Sequence, residues 1–198
     1  MRKMNKNKIL KTFIKIFLSI LLCHIIINNF FVVNLTPSIK TGIYFVLPVN
    51  KDELKIGDVV LFSMPEEIDK FVHEREYITD NCHTFLKKIG ALEKDKIKIE
   101  AEKLYINDKF IGKVEQKDTL GRELPQIESF TVPKDYFFPI GTHQKSFDGR
   151  YYGKIDIKLI KKKAFLILDL KKFSLKKLYA IICKMNIITT DLVFEYLY

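Results

Sequence analysis

The chain is 198 residues long, enough for one domain with a real core plus a membrane segment and a tail, and too short for two large domains. Hydrophobic residues make up 47% and charged residues 29% of it, which excludes wholesale disorder, while a mean hydropathy of 0.00 excludes a polytopic membrane protein. The formal charge of +10 lies mainly at the two ends: Arg2, Lys3, Lys6, Lys8, Lys11 and Lys15 precede the first apolar stretch, and nine lysines from Lys158 to Lys184 fall in the last 41 residues. Basicity that flanks a near-neutral middle argues against a nucleic-acid partner.

In chain order, residues 1–15 read as a basic cytoplasmic segment. Residues 16–35 carry no formal charge and would span about 30 Å as a helix, which fits a transmembrane anchor. A cleaved signal peptide and a buried core helix are the alternatives, since His24, Asn28 and Asn29 interrupt the apolar run. A signal peptide should end in small residues, whereas this stretch runs through Asn29-Phe-Phe-Val-Val33, which favours an uncleaved anchor. The basic residues before it place the N-terminus in the cytoplasm and the rest of the chain outside.

Residues 36–170 are expected to form one mainly antiparallel β domain. Gly42–Pro48 reads as a strand, and Leu54–Phe62 as a turn at Gly57-Asp58 leading into a second. Lys96–Glu100 alternates with period two, Leu104–Ile111 looks like a hairpin turning at Asn107-Asp108, and Phe130–Pro133 and Tyr136–Ile140 are further short strands. Asp69–Thr79 is a polar stretch, helical or mobile. The basic tail, 171–198, mixes lysines with Leu175, Leu178, Ile181, Ile182, Ile187 and Ile188, which suits an amphipathic helix lying on an anionic membrane or packed on the domain. Cys23, Cys82 and Cys183 form no C-x-x-C and no evident cluster with His73, His83 or His143, so no metal is expected; Cys82 and Cys183 either pair or remain free thiols.

Two residues carry the candidate chemistry. Ser38 follows the anchor within Thr36-Pro-Ser38, and Lys87 lies in Phe85-Leu-Lys-Lys-Ile-Gly90. A serine hydroxyl needs a base at neutral pH, and a lysine can serve only when its amine is neutral, a state that burial favours. Phe85, Leu86 and Ile89 give Lys87 apolar neighbours, while strand alternation turns Lys88 to the opposite face. The backbone N–H of Ser38 is a ready oxyanion donor. His143 with Asp148 and Ser38 would make a Ser-His-Asp set, but no nucleophile elbow surrounds Ser38.

Taken in order, Thr36-Pro-Ser-Ile-Lys-Thr-Gly-Ile-Tyr44, Leu54-Lys-Ile-Gly-Asp-Val-Val60, Phe85–Asp95, Leu120-Gly-Arg-Glu-Leu-Pro125 and Ser146-Phe-Asp-Gly-Arg-Tyr-Tyr-Gly153 resemble the boxes of type I signal peptidases, most closely the TraF-like branch of conjugative transfer. Ile39 and Lys40 stand where housekeeping signal peptidases often carry methionine and proline, and Gly149 where the family usually has serine. The resemblance implies a signal-peptidase-like β domain, a Ser38–Lys87 dyad and a second oxyanion donor from Thr36. It further implies that Ser146 orients the lysine amine and that Asp148 and Arg150 form a supporting pair. No cofactor or metal is implied. The implied partners are membrane lipid, an exported pre-protein or pilin-like substrate, and a conjugation or secretion apparatus; the implied location is the bacterial cytoplasmic membrane. The alternatives are a general type I signal peptidase, a catalytically inactive anchored assembly module, and a self-cleaving repressor, which should carry a DNA-binding domain instead of an anchor.

Overall fold

In the computed structural model, which describes residues 6–79 and 81–172, the apolar N-terminal run forms one helix, α1 (Lys6–Phe30). Its stretch Leu10–Phe30, with a mean hydropathy of 2.1, is long and apolar enough to cross a membrane. The expected anchor of residues 16–35 is thus corrected at both ends: the helix starts earlier, and residues 31–35 leave it. Phe31–Asn34 instead form β1, paired with β2 (Gly42–Leu47) so that Phe31 lies opposite Phe45 and Asn34 opposite Gly42. β-branched Val32 and Val33 suit that ladder, and Lys162 Nζ caps the end of α1 by donating to the Asn29 carbonyl.

The remaining strands are β3 (Val59–Ser63), β4 (Thr84–Ala91), β5 (Lys96–Glu100), β6 (Lys103–Ile106), β7 (Lys109–Lys113), β8 (Phe130–Thr131), β9 (Tyr136–Ile140), β10 (Ile155–Asp156) and β11 (Ile160–Asp169). One antiparallel sheet runs β1-β2-β11-β3-β4-β9-β10 and a smaller one β7-β6-β5-β8. A mainly β fold with one apolar N-terminal helix is therefore what the chain adopts. The hairpin at Asn107-Asp108 forms, with both residues at positive φ as a type I′ turn demands.

β11 was not anticipated, although it is central, between β2 and β3. Its lysine run hides the alternation, and register shifts between Ile160 and Lys162 and between Leu166 and Leu168 break the period of two. α2 (Glu66–Glu74) begins before the polar stretch foreseen at 69–79. The main core joins the two sheets, with Ile97, Leu104 and Ile106 of the small sheet packed among Ala91, Phe138 and Ile140 of the large one. A second core gathers Val60, Phe62, Ile89, Phe137 and Ile155. The expected tail helix and a Cys82–Cys183 bridge fall on residues beyond Lys172, outside the described residues.

Candidate active site

The loop between β1 and β2, residues 35–41, carries Ser38. Several bonds hold it. Asn34 Nδ2 donates to the carbonyls of Thr36 (2.8 Å) and Lys40 (3.1 Å), Tyr44 Oη donates to the Lys40 carbonyl (2.7 Å), and Ile39 is buried against Tyr44, Val46 and Ala164. Burial and the nearby Asp169 push the Tyr44 phenol up to about 12, so it remains a donor. From the other side, Thr142 Oγ1 donates to the Ser38 carbonyl (3.3 Å). Gly141 permits this approach, since a Cβ there would lie 2.8 Å from the Ser38 carbonyl oxygen and overlap Ser146 Oγ.

Lys87 sits on β4 opposite Val60 of β3 and is only 5% exposed. Alternation turns half-buried Lys88 the other way. Burial is the main reason the Lys87 amine drops from 10.5 to about 8; the positive Arg150 adds to the shift and Asp148 opposes it. Its Nζ donates to Ser146 Oγ at 2.9 Å and lies 5.3 Å from the centre of the Phe85 ring.

Ser146 is positioned in turn by Asp148 and Arg150, 0% and 2% exposed. Arg150 grips the carboxylate in two places, Nε to Oδ1 at 2.9 Å and Nη2 to Oδ2 at 2.8 Å, and donates further to the carbonyls of His143 (2.9 Å), Gln144 (2.6 Å) and Ser146 (3.3 Å). Gly141 N–H donates to Asp148 Oδ2 at 2.7 Å. The pair thus anchors both ends of the 141–146 loop. A Cβ on Gly149 would come within 2.5 Å of the Pro139 carbonyl oxygen, so the backbone packs closely there.

Ser38, Lys87 and Ser146 share one apolar pocket of about 100 Å³, whose lining also includes Thr36, Leu86 and Phe147. Tyr77 forms part of its wall, and behind it Asp118 accepts from the Tyr77 hydroxyl (2.6 Å) while Arg122 Nε donates to Asp118 (2.7 Å) and its guanidinium stacks on the Tyr77 ring. Burial alone would raise the Asp118 pKa, but these partners and the backbone N–H groups of Arg122 and Leu120 hold it at about 2. That is the structural place of the Leu120–Pro125 segment.

A family model for signal peptidase, peptidase S26, matches residues 6–168. The chain belongs to that family. A signal peptidase relative, thylakoidal processing peptidase 1 (chloroplastic) of Arabidopsis thaliana, is 30% identical over 108 residues, covering 54% of this chain. The chain spans only 30% of that relative's length. Among solved structures, a signal peptidase I of Enterococcus faecalis V583 shows 19% identity and a TM-score of 0.34, covering 55% of this chain and 93% of that one.

Asn34, at the base of the Ser38 loop, carries no motif in the sequence. Asn34 Oδ1 accepts from Thr36 Oγ1 at 2.7 Å, and Thr36 Oγ1 lies 3.0 Å from Ser38 Oγ. The orientation of Asn34 follows from its Nδ2, which faces two carbonyls that can only accept. Thr36 has one proton, and Asn34 takes it. The Ser38 hydroxyl is therefore the donor to Thr36, and among the described residues no hydrogen bond joins Ser38 to Lys87. Such bonds commonly tighten only around substrate.

Proposed function

We propose that the chain is a membrane-anchored serine endopeptidase that cleaves exported pre-proteins, with Ser38 as nucleophile and Lys87 as general base. One observation carries the reading: Lys87 is buried, held near neutrality in its titration, and hydrogen-bonded to Ser146 in the pocket that also contains Ser38. Ser38 Oγ attacks the scissile carbonyl carbon while its proton passes to Lys87 Nζ. The Ser38 N–H is the donor available to the oxyanion, the Thr36 hydroxyl joining it only by giving up Asn34, and Lys87 returns the proton to the departing amine. Water then attacks the Ser38 ester carbonyl, giving a proton to Lys87, which passes it to Ser38 Oγ as the acyl group leaves as a carboxylic acid. Neither step draws on a metal or cofactor.

The pocket's apolar walls suit the small residues that precede the cleavage site of exported proteins. The finer assignment is to a pilin-like or other secreted subunit of a conjugation apparatus in the bacterial cytoplasmic membrane. It is supported by the Thr-Pro-Ser-Ile-Lys-Thr-Gly order at residues 36–42 and by Leu120–Pro125, whose Arg122 braces the pocket wall.

The test is cleavage of a pre-protein in proteoliposomes by the full chain. Ser38→Ala and Lys87→Arg should abolish it, because the arginine keeps the charge but never yields a neutral base near pH 8, whereas Lys88→Arg should cleave normally. Wild-type cleavage by Ser38→Ala would leave the chain as an anchored binding module. The identity of pre-proteins accumulating in cells that carry Ser38→Ala separates a pilin-like substrate from a general pool.

A further inference from the structure

No cluster of metal-ligand residues was evident in the sequence, yet the fold assembles one away from Ser38 and Lys87. Asp69 and His73 are one turn apart on α2, and His83 arrives from the segment just before β4. His83 Nδ1 lies 3.0 Å from Asp69 Oδ2, His73 Nδ1 lies 3.5 Å from Asp69 Oδ1, and the two imidazole rings lean together with centroids 5.1 Å apart. All three ligand atoms fall within 4.8 Å of one another.

We propose that Asp69, His73 and His83 form a zinc site that staples α2 to the start of β4. Ligand atoms about 2.0–2.1 Å from a tetrahedral zinc are separated from each other by roughly 3.3 Å, close to both carboxylate–imidazole spacings. Two neutral imidazoles and one carboxylate are a donor set that zinc favours.

The surroundings of His73 point the same way. Its Nε2 is 3.2 Å from the Thr79 carbonyl and its Nδ1 is 2.7 Å from the Asp69 carbonyl, both of which only accept. A neutral ring can donate to one of them, so the other nitrogen faces an oxygen lone pair unless a cation sits there. With Nε2–H donating to Thr79, the tautomer presents the Nδ1 lone pair toward the Asp69 carboxylate and His83. A backbone carbonyl orienting the far side of a ligand imidazole is the usual outer support of a metal-bound histidine. A second proton on His73 would satisfy the two carbonyls equally well. It would not account for a second imidazole tilted against the first and directed at the same carboxylate. His83 is 63% exposed, which leaves the ion a route in and a coordination position for water.

The staple would act on the pocket through the segment it closes. Val72, Tyr77, Ile78, Cys82 and Thr84, all at or between the stapled ends, line the same pocket as Ser38 and Lys87. Zinc would therefore stiffen one wall of the substrate pocket without touching the reacting atoms. The idea stands independently of the peptidase reading, since binding can be measured whether or not the chain cleaves anything.

The experiment uses the full chain in detergent, purified without a histidine tag. Zinc is titrated against a chromophoric chelator, and cobalt is used as a visible-absorption probe. One zinc per chain at micromolar affinity or tighter is expected, with cobalt bands of a four-coordinate nitrogen and oxygen site. His83→Ala and Asp69→Asn should each weaken binding at least about tenfold, whereas His143→Ala should not. Because His83 is largely exposed, its alanine variant should melt like wild type without metal and lose only the zinc-induced rise in melting temperature. Absence of stoichiometric binding, or equal binding by His83→Ala, would overturn the proposal and leave the cluster as a hydrogen-bonded tie between α2 and β4.

Discussion

In the proposed mechanism one buried amine, Lys87, would govern rate, and its burial also bears on stability. Only the neutral form can take the Ser38 proton, so kcat/KM should rise with pH through about 8 and then level off, as read from a pH profile on a short peptide substrate. A flat profile across that range would remove Lys87 from the role. The same shift has a stability sign. The folded pKa lies below the unfolded value of 10.5, so stability is lost as pH falls from about 10.5 to 8, where the unfolded chain takes up a proton that the folded one refuses. Lys87→Met should then be inactive yet more stable than wild type at pH 7 by about 2–3 kcal/mol in denaturant melts, with the gain vanishing at high pH. Asn34 makes a different demand. By holding Thr36 and both ends of the 35–41 loop it sets where the Ser38 hydroxyl rests, so Asn34→Leu should cut kcat by about tenfold with little change in KM. Asn34→Asp keeps the acceptor for Thr36 but sets an oxygen against the Thr36 and Lys40 carbonyls, so it should fail as Asn34→Leu does; wild-type kcat in Asn34→Asp would mean that the loop ties through Nδ2 do not matter.

At the scale of elements, the bidentate Asp148–Arg150 pair ties the 141–146 loop to α3 (Gly149–Tyr152), where the Asp148 side chain also caps the helix by accepting from the Arg150 N–H. Arg150→Met would leave that carboxylate buried and unpaired, and an unfolding titration should show a loss of about 3–5 kcal/mol. The elements that were legible in the sequence share a physical trait: β2, β5, the β6–β7 hairpin and β9 each state their period or their turn within a few residues. What escaped needed partners. β1 was absorbed into the apolar run before it because a strand of four residues has no pattern of its own, and only pairing with β2 reveals it. β11 carries two bulges and a run of lysines whose stems lie along the sheet; Lys163 is held by Asp58 at 2.7 Å. The candidate site divides the same way. Ser38, Lys87, Thr36, Ser146, Asp148 and Arg150 were singled out through ordered boxes; the fold lines one pocket with the first four and sets the Asp148–Arg150 pair beside Ser146. Asn34 and the Asp69–His73–His83 cluster were not singled out, because each acts through contacts that no local spacing encodes. Of these, only the Asp69-x-x-x-His73 repeat of one helical turn left a trace in sequence.

For the whole molecule, the decisive relation is between α1 and the face of the large sheet beside its exit. Phe30 at the end of α1 stacks on Phe45 of β2 at 6.0 Å, Phe45 pairs in register with exposed Phe165 of β11, and Leu47 and Ile167 are exposed nearby. Val46, between Phe45 and Leu47, is buried in the core, so the candidate lipid-facing side chains are Phe45, Leu47 and Phe165. If α1 spans the bilayer, this apolar face lies at the membrane–water boundary and Ser38 only a few residues beyond it. Phe165→Asp combined with Ile167→Asp should slow cleavage of a membrane-embedded pre-protein while leaving cleavage of a soluble peptide in detergent unchanged; equal loss on both substrates would mean that the face supports the fold instead. The same relation fixes the topology. Basic residues precede α1 and the Ser38 loop follows it, so the domain should lie outside the cytoplasm. A reporter fused after Tyr198 should be active only on the external side, and protease added to spheroplasts should digest the domain while sparing residues 1–15. A cytoplasmic reporter together with a protected domain would put Ser38 on the side from which exported proteins depart, and an exported substrate would then have to be abandoned.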